Sequence, residues 1–224
     1  MQIAVIQHAP LSPDSLLSQA LARVGLEAVL FQSGSASAEI QGYIVMDAVQ
    51  ADVDSLLKKE SELGKPILGI GKGAKALTAM GLVPGSEYYK VGIQFQPAEE
   101  RQVVSLRLAK DYQYNAFTQS IPAKQLFHFS IQDNPGQFFI PPGLMMEMQV
   151  QGLIIFCYCD KEGKPETGPG SIAAIANKMG NVMAMIPHPE FTANGDSIFQ
   201  SMRDYIQAGY VEHVLPLYYF PRTQ

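Results

Sequence analysis

The first 82 residues alternate short, continuous apolar runs with stretches of helical spacing, and no other feature constrains the fold as much. Ile3 to Ile6 is apolar at every position, as expected of a strand buried on both faces. Leu16, Leu17, Ala20, Leu21 and Val24 then recur at helical spacing until Gly25 ends the pattern. Ala28 to Phe31 and Tyr43 to Met46 read as further strands, and Val53, Leu56, Leu57 and Leu63 as a second helix closed by Gly64 and Pro66. Pro66 to Ile70 is another strand and Ala74 to Leu82 a third helix. Strands alternating with helices of this length predict an α/β fold in three layers, a mostly parallel central sheet with helices on both faces.

From Tyr88 to Glu147 the pattern changes. Short β-like runs at Val103 to Leu108, Phe127 to Ile131 and Phe138 to Ile140 are separated by Pro, Gly and Asn, with little helical periodicity. An antiparallel portion around 88–147, inserted in or appended to the α/β core, is expected. Leu153 to Tyr158, Ser171 to Ala176 and Val182 to Ile186 return to strand character, with Gly180-Asn181 suited to the last turn. Ile198, Met202, Tyr205 and Ile206 mark a final helix. The 224 residues show no repeat, low-complexity stretch or linker, so one domain over 1–224 is expected.

Charge excludes some functions. The net charge is −5, against the clustered positive charge that phosphate-backbone binding needs, so no nucleic acid is expected as a partner. Charged residues make up only 17%, below the usual quarter or so, which suits a surface partly covered by a protein partner. Met1 to His8 lacks the basic flank of a signal peptide, and no run approaches a membrane span, so no membrane partner is expected. Cys157 and Cys159 lie two apart in one apolar run; two thiols alone cannot close a zinc site, and strand packing is their expected use. These features describe a reduced, cytoplasmic chain.

Two segments could carry chemistry. Ile67-Leu-Gly-Ile-Gly-Lys-Gly-Ala-Lys75 takes a buried strand directly into a helix through three glycines. Such an elbow lifts one side chain above the sheet beside helix N–H groups, and a nucleophilic Ser or Cys commonly sits there. The apex here is Gly71, so either Gly71, Lys72 and Gly73, helped by Lys75, cradle an anion, or the glycines serve only a tight turn. In Met185-Ile-Pro-His-Pro-Glu190, His188 and Glu190 are spaced i, i+2 after a buried strand. An extended backbone places both on one side, so they form the base-and-orienter arm of a triad or merely an exposed loop.

Met1-Gln-Ile-Ala-Val-Ile-Gln7, Gly64 to Ile70, Leu77 to Gly85, Tyr158-Cys-Asp160, Gly168 to Ser171, Ile172 to Asn177, Gly180-Asn-Val182 and Met185 to Glu190 together resemble the triad-type (class I) glutamine amidotransferases, in particular the glutaminase subunits of phosphoribosylformylglycinamidine synthase. The resemblance spans essentially the whole chain. It implies a flavodoxin-like glutamine-amidotransferase fold, glutamine as family substrate, no cofactor or metal, and a synthetase subunit of purine biosynthesis as partner. It maps His188 and Glu190 onto the base and its orienter. Three departures stand against activity. The family's Gly-Ile-Cys-Asn-Gly reads Gly69-Ile-Gly71-Lys72-Gly73, its Pro-Gly-Gly oxyanion loop reads Met46-Asp47-Ala48, and its His-Gly-Glu-Gly-Arg segment reads Asp133-Asn-Pro-Gly-Gln137. The expectation is a degenerate subunit lacking glutaminase activity and acting as a structural or regulatory partner, with Gly71 facing His188 across a relict site. The alternatives are an active glutaminase of unrecognised mechanism, and an anion- or nucleotide-binding module at Gly69 to Gly73. The aromatic run Val214 to Phe220 is a candidate contact for the partner.

Overall fold

The computed structural model describes residues 1–31, 39–86, 90–95, 102–122, 124–131 and 136–210. Its centre is β1 (Gln2–Ile6), whose alternate residues face opposite layers. Ile3 and Val5 pack with α1 (Leu16–Arg23) and α5 (Asp196–Gln207), while Ala4 and Ile6 pack with α2 (Ala51–Glu62), α3 (Lys72–Ala79) and α4 (Pro142–Val150). A strand covered by helices on both faces has no room for a polar face, which is why its sequence is continuously apolar.

β2 (Glu27–Leu30), β1, β3 (Ile40–Val45), β4 (Ile67–Ile70) and β11 (Val182–Met185) are paired in parallel, in that order. β10 (Ile172–Ala176), β9 (Ile154–Cys159), β6 (Gln102–Leu108) and β7 (Leu126–Ile131) complete the nine-stranded sheet through antiparallel ladders. Only β10 and β6 run against the rest, so seven of the nine strands point the same way. The expected mostly parallel sheet between helical layers is therefore the observed one. β5 (Gly92–Phe95) and β8 (Gly136–Phe139) form a separate two-stranded sheet.

The turn into β11 shows why register holds at the middle of the sheet. Gly180 takes φ 74°, and the buried Asn177 side chain accepts from the N–H groups of Asn181 and Val182 at 3.1 and 3.0 Å. Asn181 in turn donates to the carbonyls of Ser61 and Lys65, tying the hairpin to the end of α2.

One element departs from the expectation. Helix α4 begins inside the stretch read as lacking helical character and runs past its end at Glu147. Its inner face buries Leu144 and Met148, one turn apart, but Met146 and Val150 are exposed at 69% and 83%. A helix with apolar residues on its outer face as well as its inner one shows no clear stripe, so periodicity cannot reveal it; Pro142 at its first turn is the remaining signal.

Candidate active site and adjacent cleft

β4 is buried at all four positions and gives way to α3 through the single residue Gly71. The Gly71 N–H donates to the Met185 carbonyl at 2.9 Å, so the β4–β11 ladder holds to the last residue before the helix. To leave the ladder and enter a helix in one step, Gly71 adopts φ 56°, ψ −113°. That is outside the left-handed helical basin and open to glycine at little cost.

The flanking glycines have other reasons. A Cβ on Gly73 would collide with the Val45 carbonyl oxygen, so α3 presses on the end of β3 at a point where no side chain fits. A Cβ on Gly69 would meet Leu77, the Gly73 carbonyl and the Ala74 nitrogen at 2.7 to 2.9 Å. The three glycines thus lock strand, elbow and helix together.

β11 is the parallel neighbour of β4, with Met185 opposite Ile70, so the chain leaving β11 rises beside the elbow. His188 is the residue before a short 3₁₀ turn, Pro189–Phe191. Its Nε2 lies 2.9 Å from the point a Cβ on Gly71 would occupy. Its Nδ1 is 2.7 Å from Glu190 Oε1. An ionised carboxylate can only accept, so Nδ1 donates and Nε2 is the ring nitrogen left facing Gly71. Glu190 is 3% exposed and His188 19% at the side chain, and the Phe191 ring stacks on the imidazole at 5.2 Å and 24°. The i, i+2 spacing made the His188–Glu190 pair legible; the Phe191 stack was not, because an aromatic beside a turn has many uses.

The structure thus brings Gly71, His188 and Glu190 together. The three positions are arranged as a triad would set nucleophile, base and orienter, with no side chain at the elbow. Lys72 lies on the exposed side of α3, away from this contact, while Gly73 is buried against β3.

Asp47 follows β3. Its carboxylate accepts from the His8 N–H at 3.1 Å and lies 3.4 Å from His8 Nδ1, so its charge is engaged at the end of β1. His8 was not singled out in the sequence; only the sheet order brings it beside Asp47. The two residues open onto a cleft of about 870 Å³ lined also by Asp54, Lys72, Lys75 and Phe95. Cys157 and Cys159 lie on β9, separated from β4 by β10 and β11. Burial pushes both thiols above their ordinary range, and Arg107 only partly opposes it. Neither is a thiolate nucleophile at neutral pH. Of the segment Asp133 to Gln137, residues 133–135 lie outside the described residues, as does the run Val214 to Phe220.

A strand-to-helix elbow faced by a His–Glu pair in the segment after the neighbouring parallel strand is compatible with a triad-type amidotransferase. The CobB/CobQ-like glutamine amidotransferase domain matches residues 24–210, and the chain belongs to that family. Among curated relatives it is similar to the phosphoribosylformylglycinamidine synthase subunit PurQ of Aquifex aeolicus, 32% identical over 136 residues that cover 58% of this chain and 57% of that protein. PurQ of Thermomicrobium roseum is 31% identical over 146 residues, covering 62% and 59%. The matched stretch is thus less than two thirds of either relative's length. In fold, the chain is similar to a chain of the structure of PurLQS from Thermotoga maritima, with a TM-score of 0.69 at 19% identity over 92% of this chain and 98% of that one. A glutamine amidotransferase from Thermotoga maritima gives 0.56 at 11% identity over 95% and 86%. The resemblance to glutamine amidotransferases read from the sequence is therefore shown, and the curated relatives named above are PurQ subunits.

Proposed function

We propose that this chain is a PurQ-like subunit of a purine-biosynthetic amidotransferase that has lost glutamine hydrolysis and serves a synthetase partner in a structural or regulatory role. The observation that carries the reading is His188 Nε2 aimed at an elbow residue with no side chain. Hydrolysis by this architecture needs a thiolate at the elbow to attack the amide carbon, N–H groups to hold the oxyanion, and a base to protonate departing ammonia. His188, oriented by Glu190, keeps the third part. Gly71 cannot supply the first, and Lys72 cannot replace it, since its ammonium stands on the exposed side of α3. The oxyanion segment carries Asp47, a negative charge close to where negative charge would develop, held there by His8. Losing a triad nucleophile removes on the order of a million-fold in rate.

Two relatives named as synthase subunits, and a solved neighbour titled as the PurLQS assembly, support a synthetase partner. The low charge fraction of 17% agrees with a surface made for a protein. The reading is tested with an electrophilic glutamine analogue and intact-mass measurement. No adduct is expected on this chain, and co-purification with a synthetase is. An adduct on Cys157 or Cys159 that requires His188 would establish an active glutaminase instead.

A further inference from the structure

The central sheet has a topological switch point. From β1 the chain goes to β2 on one side, then crosses back to β3 on the other. Ligands of open α/β sheets bind in the crevice above the carboxyl ends of the strands flanking such a reversal. The residues there are His8, after β1, and Asp47, after β3, and they form one wall of the 870 Å³ cleft. The other walls are the first turn of α2, the outer face of α3, and Phe95 at the end of β5. Neither Gly71 nor His188 lines the cleft, but Asp47 and Lys72 do, so it opens beside the relict triad and shares the oxyanion segment with it.

We propose that this cleft binds a small phosphomonoester with an apolar, planar body, the chemical class of a mononucleotide. The charges point that way. Both carboxylates in the lining have partners of their own: Asp47 accepts from the His8 N–H at 3.1 Å, and Asp54 pairs with Lys58 at 3.0 Å. Lys72 and Lys75, three residues apart on α3 and hence neighbours on its surface, have no carboxylate within 4.0 Å among the described residues. Two adjacent free ammonium groups match a dianion. An amino acid brings one carboxylate charge to the pair, whereas a phosphomonoester brings close to two, so the phosphomonoester is favoured. The first turn of α3 adds to the positive potential, because Gly71 offers no side chain to cap it. Val49, Met80 and Phe95 supply the apolar wall, with the Phe95 ring 5.9 Å from the Lys75 ammonium. A planar group placed there stacks beside the charge that holds its phosphate. The volume lies in the range of ordinary small-molecule sites.

This inference does not depend on whether glutamine is hydrolysed, and its test reads binding alone. Calorimetric titration of the full chain at low salt uses AMP, inorganic phosphate and L-glutamine as probes. AMP is expected to bind saturably, about tenfold or more tighter than phosphate, with glutamine showing no binding. The double substitution Lys72→Gln/Lys75→Gln is expected to weaken AMP by about tenfold or more, the size of lost charge-assisted contacts. Lys178→Gln, in the turn between β10 and β11, leaves AMP binding unchanged. Both cleft lysines are solvent-exposed, so the variants fold; amide shifts on AMP addition should map to the start of α3 in the wild type. Absence of saturable AMP binding, AMP affinity unchanged in the double variant, or phosphate or glutamine binding as tightly as AMP would each overturn the proposal.

Discussion

Gly71→Ala isolates the physics of the elbow. The substitution adds one carbon at a residue with φ 56°, ψ −113°, where a Cβ would sit 2.9 Å from His188 Nε2. The backbone term alone costs about 1–3 kcal/mol for a non-glycine residue in so sparse a region. The contact adds to it. The imidazole cannot step back freely, because Glu190 holds Nδ1 at 2.7 Å and Phe191 stacks on the ring. Moving it strains a charge-assisted hydrogen bond of about 1.5–3 kcal/mol, of which partial loss amounts to about 1 kcal/mol. The expected destabilisation is therefore about 2–4 kcal/mol, which lowers the melting temperature by roughly 4–16 °C for a domain of this size. Urea unfolding followed by circular dichroism measures it directly. A double-mutant cycle then separates the two parts: with His188→Ala as background, Gly71→Ala should cost only the backbone part, leaving a coupling of about 1 kcal/mol. If Gly71→Ala lies within about 0.5 kcal/mol of wild type, the size of an ordinary surface change, the elbow is not strained as argued. If the cycle shows no coupling, His188 does not face residue 71.

Other substitutions and titrations probe separate features. Gly73→Ala drives a carbon into the Val45 carbonyl oxygen, backbone against backbone, so the loss should exceed the roughly 1–3 kcal/mol of ordinary overpacking and leave the chain largely unfolded at about 37 °C. The Cys157 and Cys159 thiols, raised by burial, should react slowly with a disulfide reagent near neutral pH and quickly once the chain is unfolded in urea; fast reaction of the folded chain would contradict their placement. Burial pushes the Asp204 carboxyl up, but hydrogen bonds from Ser120, Arg203 and Gln200 outweigh it and hold the group below its ordinary value. A depressed folded-state value stabilises the fold above the unfolded-state range, near pH ~4, and that share is lost as pH falls through the folded-state value. Asp204→Asn should therefore lower stability near neutral pH and flatten the acid limb of the stability curve; an unchanged acid limb would refute the assignment.

What was legible in the sequence follows from where each signal resides. The buried parallel strands were visible because strands covered on both faces are continuously apolar, as in β1 and β4. The elbow was visible because strand, glycine and helix are contiguous, and the His188–Glu190 pair because i, i+2 on extended chain fixes a common side. Helix α4 was hidden by its own composition, since Met146 and Val150 are as apolar on the outside as Leu144 and Met148 are inside. The separate roles of the glycines were hidden for a different reason. Gly73 is required by the Val45 carbonyl, far away in sequence, and only the packing of α3 on β3 shows it. The cleft was hidden likewise. Lys72 and Lys75 could be named from the elbow, but His8, Asp47 and Phe95 join them only through the strand order and the β5–β8 pair.

The central claim is that a family base and its orienter have outlived their nucleophile. The direct measurement is steady-state ammonia release from L-glutamine by the purified chain, alone and with its synthetase partner, beside a His188→Ala control. The account expects release by the wild type to equal that of the control in both settings, because His188 and Glu190 have no thiolate to serve. Sustained turnover on the order of 1 per second or faster, abolished by His188→Ala, would contradict it.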